Sequence, residues 1–68
     1  MKPLEIGKLY CLRENPLPVW DDGFILDYLD TSVPFLVLWV RGITIKILFG
    51  DKTGCIELNP ENTVKEIA

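Results

Sequence analysis

Apolar and polar residues along this chain fall into short runs broken by glycine, proline, asparagine and aspartate, a pattern that predicts β-strands joined by turns. Gly7 to Arg13 reads as the first strand, with Leu9 and Cys11 on one face, Tyr10 and Leu12 on the other, and Asn15-Pro16 at its end. Leu17-Pro18-Val19-Trp20, Asp21-Asp22-Gly23 and Phe24-Ile25-Leu26 read as an irregular hairpin whose turn places Gly23 at positive φ. A single helical turn from Asp22 through Leu29 competes with it. Phe24, Ile25, Tyr28 and Leu29 suit one helix face, although Gly23 and the flanking prolines hold such a turn short.

The run Phe35-Leu36-Val37-Leu38-Trp39-Val40 has no polar position on either face, the pattern of a central strand covered on both sides or packed against a partner on one. If Phe35, Val37 and Trp39 point inward, then Leu36, Leu38 and Val40 form a second apolar face together with Leu48. Either the long preceding segment folds over that face, using Phe24, Ile25 and Leu29, or the face is an interface. Arg41-Gly42 supplies a tight turn into a strand with Ile43, Ile45, Ile47 and Phe49 inward and Thr44 and Lys46 outward. Gly50 to Gly54 reads as a hairpin loop, Cys55 to Leu58 as a strand, Asn59 to Asn62 as one 3₁₀ turn, and Thr63 to Ile67 as a short last strand.

Size narrows this to one unit: 68 residues hold one compact core, so residues 1–68 read as a single domain with a small stability margin. Hydrophobic residues at 49% and charged residues at 25% are globular composition and exclude a disordered chain. The formal net charge of -3, with Lys and Arg scattered, argues against nucleic acid and for a basic protein surface as partner. Cys11 and Cys55 follow no apolar leader segment, so reduced thiols in the cytoplasm are expected, behaving as small apolar side chains. No apolar run is long enough for a membrane helix.

Chemistry is poorly provided for. There is no histidine, Ser32 is the lone serine, and no glycine-rich loop is spaced to cradle phosphate. Two thiols cannot by themselves complete a four-ligand zinc site. Carboxylates such as Asp27 and Asp30 would need a deep cleft to shift their pKa for acid-base work, and a domain this small offers none. The sequence therefore predicts no enzyme, no metal and no cofactor.

The element order, together with the stretch Trp39 to Ile56 and its Gly50-Asp51 and Thr53-Gly54 pairs, resembles the SH3-like barrel of the bacterial SH3 type. That resemblance implies an all-β, small five-stranded barrel with a long RT-type loop from Glu14 to Ser32 and one 3₁₀ turn. In peptide-binding members the loop carries acids that meet Lys or Arg of a proline-rich ligand, a role that Asp21, Asp22, Asp27 and Asp30 would take. The aromatic ledge would draw on Tyr10, Trp20, Tyr28 and Trp39, with Pro60 near the 3₁₀ turn. The chain departs from the family where Cys55 stands for an aromatic, where Asn59 to Thr63 lacks a tyrosine, and where Trp39 precedes the tight turn.

The expectation is thus a non-catalytic protein-protein interaction module, a small adaptor or inhibitor, docking on a basic surface or peptide through the acidic loop and nearby aromatics. Its size and acidity resemble those of accessory proteins of bacteria or their phages. The alternatives are a nucleic-acid-associated barrel of the KOW or Tudor type, which shares the topology, and a structural homo-oligomer subunit, a homodimer included.

Overall fold

The computed structural model describes residues 4–59 and 63–67. They form seven antiparallel strands: β1 Leu9–Leu12, β2 Leu17–Asp21, β3 Phe24–Leu29, β4 Phe35–Arg41, β5 Thr44–Phe49, β6 Lys52–Glu57 and β7 Val64–Glu66. All belong to one sheet in the order β3-β2-β6-β5-β4-β1-β7. Three hairpins set the local order. Asp22 and Gly23 both have positive φ, as a type I′ loop requires, while Gly42 and Gly50 place positive φ at the first loop position of the next two.

With no second layer described, the sheet buries one face by curling around it. Seven strands laid flat would be roughly 29 Å wide and only one layer thick, whereas the Cα extents are 28 × 24 × 22 Å. Tyr10 and Leu12 of β1, Val19 of β2, Leu29 of β3, Phe35 and Val37 of β4, Ile45, Ile47 and Phe49 of β5, and Ile56 of β6 fill the concave side. The Tyr10 and Phe35 rings meet at 6.2 Å between centroids. The Tyr10 hydroxyl accepts the Glu5 backbone N–H at 2.9 Å, so this core aromatic keeps its polar tip satisfied.

The sheet is open, and this overturns the SH3-like barrel. Among the described residues β3 and β7 stand at opposite edges with no pairing between them, and there are seven strands where five were expected. A barrel of KOW or Tudor type fails on the same ground. The reason lies in the segment expected as an RT-type loop. Its β-forming residues and type I′ turn make it a hairpin of its own, β2–β3, which adds beyond β6 at Trp20↔Cys55 and leaves β3 as a margin. Strand geometry over Phe24–Leu29 also replaces the competing helical turn.

Other expectations shift locally. The Gly50–Gly54 loop tightens to Gly50-Asp51, with Thr53 and Gly54 inside β6. Ile43 lies in the turn and is exposed. The pairing of β4 with β5 slips between Val37 and Trp39, leaving Leu38 as an extra residue. Beyond this bulge the faces exchange: Trp39 lies opposite Lys46 on the convex side, and Val40 lies opposite buried Ile45. Leu36 does stay on the convex side, in a half-buried row with Leu9 and Leu48. β2–β3 cannot fold over that row, because β6 and β5 lie between. The 3₁₀ turn expected over Asn59 to Asn62 lies outside the described residues from Pro60 onward. Among the described residues no helix is long and apolar enough to cross a membrane.

Candidate docking surface

β2–β3 is the hairpin that the sequence marks with both apolar and acidic residues, and its local geometry decides which of them meet solvent. A bulge between Val19 and Trp20 leaves Leu26 without an opposite residue, so that Val19 pairs with Asp27 while Trp20 pairs with Ile25. Before the bulge, Val19 and Leu29 bury into the core. After it, Phe24 is 75% exposed and Trp20 37%, with Ile25 and Leu26 exposed as well, while Tyr28, opposite Pro18 before the bulge, is 61% exposed. Large apolar side chains so concentrated on one surface element exceed the scattered exposure that is ordinary for soluble proteins.

The hairpin joins the sheet by close backbone approach. Gly54 of β6 sits under it, and a Cβ there would run into Val19 Cγ1 and lie 3.0 Å from the Trp20 carbonyl oxygen. Glycine at this position is a matter of space, since no positive φ is required of it. At the joint the convex face carries the row Ile25, Trp20, Cys55, Lys46, Trp39, read across β3, β2, β6, β5 and β4.

Four aspartates surround the apolar residues, in two electrostatic conditions. Asp27 accepts from Lys52 Nζ at 3.0 Å and from the Tyr28 backbone N–H at 2.7 Å. The Lys52 hydrogen bond, then the Tyr28 N–H, then the lysine's charge hold the Asp27 carboxyl below the usual carboxylate range. The same pair pushes Lys52 up. Asp21 and Asp22 at the hairpin tip and Asp30 at the far end of β3 have no ion pair among the described residues. Asp30 accepts from the Thr31 N–H at 2.8 Å, which orders the exit turn and leaves its charge uncompensated.

Of the eight predicted contact residues, the structure gathers Trp20, Asp21, Asp22, Asp27, Tyr28 and Asp30 on one hairpin. Tyr10 belongs to the core at 4% exposure. Trp39 lies on β4, roughly 14 Å from β2 at three strand spacings, with the Arg41 guanidinium 5.3 Å above its ring. Sequence reasoning missed Phe24, Ile25 and Leu26, assigning the first two to a covering role. Pro18 did not supply the signal: its missing N–H disfavours a fully paired strand, yet it lies on β2, which is flanked by β3 and β6. Among the described residues no three His, Cys, Asp or Glu side chains gather to hold a metal. Comparison with known protein families, curated proteins and solved structures finds no match to this chain.

Proposed function

We propose that this protein is a non-catalytic interaction module that docks on another protein's basic surface through the β2–β3 hairpin. The observation that carries the reading is the coincidence, on one hairpin, of exposed Trp20, Phe24, Ile25, Leu26 and Tyr28 with the uncompensated carboxylates Asp21, Asp22 and Asp30. Apolar anchors supply affinity once desolvated, and the carboxylates steer a cationic partner and repel an anionic one. They repel phosphate too, which favours protein over nucleic acid. A cytoplasmic setting belongs to the proposal. Cys11 and Cys55 are free, on strands roughly 14 Å apart, beyond the reach of a disulfide within the chain.

The test is affinity capture with immobilised protein, comparing the parent with Trp20→Ala, Phe24→Ala and Asp22→Ala. Truncating a docked aromatic costs about 2 kcal/mol, roughly thirtyfold in affinity. A partner lost by the aromatic variants and weakened by the aspartate variant supports the hairpin. A partner retained by all of them shows that another surface docks.

A further inference from the structure

Building on the docking reading, we propose that the free edge of β3 takes up an extended segment of another protein by β-strand addition, and that the segment is apolar in its middle with Lys or Arg at both ends. Among the described residues β3 pairs with β2 on one side only, so its other side presents backbone groups with no described strand partner. The Tyr28 N–H donates to its own Asp27 carboxylate, and the residue opposite it on β2 is Pro18. On this proposal that N–H is the edge donor, and an incoming carbonyl replaces Asp27 on it while Lys52 retains the carboxylate.

The charges identify the occupant. Asp21 and Asp22 bracket one end of β3 and Asp30 the other, while the strand between them offers Phe24, Ile25, Leu26 and Tyr28. A second copy pairing antiparallel would bring Asp22 of one against Asp30 of the other, and a parallel copy would set each acid beside itself. Like charges facing across strands are destabilising. A segment with cationic ends meets acids at both ends of the edge.

The probe is a synthetic peptide of about nine residues, alternating valine and threonine between paired lysines, long enough to reach from Asp22 to Asp30. Binding should confine amide shifts to 24–29 and slow exchange of the Tyr28 amide. It should weaken about tenfold or more when glutamates replace the lysines. Tyr28→Pro removes the proposed edge donor and should abolish binding, whereas Tyr28→Ala keeps it and should weaken binding only a few-fold. If Tyr28→Pro does not fold, the exchange measurement on the parent decides.

Absent or unlocalised binding of the probe overturns strand addition. So does equal loss in Tyr28→Pro, Tyr28→Ala and Phe24→Ala, which leaves side-chain docking at the hairpin standing. Binding unchanged by every variant removes both readings. A protein that dimerises without peptide, with β3 amides protected, overturns the basic-segment proposal in favour of a second copy.

Discussion

The two margins of the sheet are built on opposite plans. β7 is three residues long, and beyond Val64 it offers Lys65 and Glu66, both exposed. It is tied down from one side: the Arg13 N–H reaches the Thr63 carbonyl at 3.1 Å, Arg13 Nε reaches the Val64 carbonyl at 3.2 Å, and the Ile67 N–H reaches the Leu9 carbonyl at 2.8 Å. Shortness and charge are how proteins keep an edge from recruiting further strands. β3 is six residues long, mostly apolar and exposed, and its single charge, Asp27, is neutralised by Lys52. An edge left apolar and exposed invites pairing with another chain, and that is the liability the proposed docking would put to use.

The sharpest way to separate anchoring from display within β3 is to truncate its two ends. Leu29, 1% exposed, fastens the strand to the core, so Leu29→Ala should cost about 3 kcal/mol in urea unfolding. Phe24→Ala should stay within about 0.5 kcal/mol of the parent. Equal losses would mean that Phe24 is packed and the edge is not open. Next in size is the joint: Gly54→Ala should cost about 1–3 kcal/mol, because Val19 or the Trp20 backbone must shift. Its hydrogen-exchange signature should fall on β2, β3 and β6 and spare β1 and β7. Uniform loss of protection would make the hairpin an inseparable part of the fold.

The two plans can also be exchanged. Leu26→Lys gives β3 the protection that β7 has and should leave stability within about 0.5 kcal/mol while removing partner docking. Lys65→Val with Glu66→Val strips β7 and should produce a concentration-dependent mass in analytical ultracentrifugation. A monodisperse double variant would show that length, not charge, guards that edge.

These contrasts explain which parts of the molecule could be read from its residues. Strand type was legible because β-branched and aromatic runs are separated by turn residues, and Asp22-Gly23 and Gly42 mark their loops by the φ they need. Faces were legible through Val37 by simple alternation. They were lost at Leu38, because in a run as uniformly apolar as Phe35 to Val40 an extra residue leaves no mark in composition. Closure was not legible at all: whether the outermost strands meet depends on pairing between distant segments, and a barrel and an open sheet share the same local pattern. The exposed apolar patch was hidden for a related reason, since Phe24-Ile25-Leu26 looks the same in sequence whether it covers a core or lies at a margin.

The smallest expected effect concerns the salt bridge between Asp27 of β3 and Lys52. Lys52 and the Tyr28 N–H favour ionised Asp27, so the folded pKa lies below the unfolded one. The contribution is therefore present above the ordinary carboxylate range and is lost as pH falls through the lowered value. For Lys52 the folded value is raised, so its contribution is present below the ordinary lysine range and is lost as pH rises through the raised value. At neutral pH the link is complete, and both partners are solvent-exposed enough that global stability should barely register its loss. The local readout is more sensitive. Side-chain carboxyl NMR should place the Asp27 midpoint higher in Lys52→Ala than in the parent, and the Tyr28 amide, corrected for the intrinsic rate at each pH, should lose protection in acid as the carboxylate lets go of the N–H. An unchanged midpoint would show that Lys52 does not hold Asp27, and that the Tyr28 N–H alone orders this carboxylate.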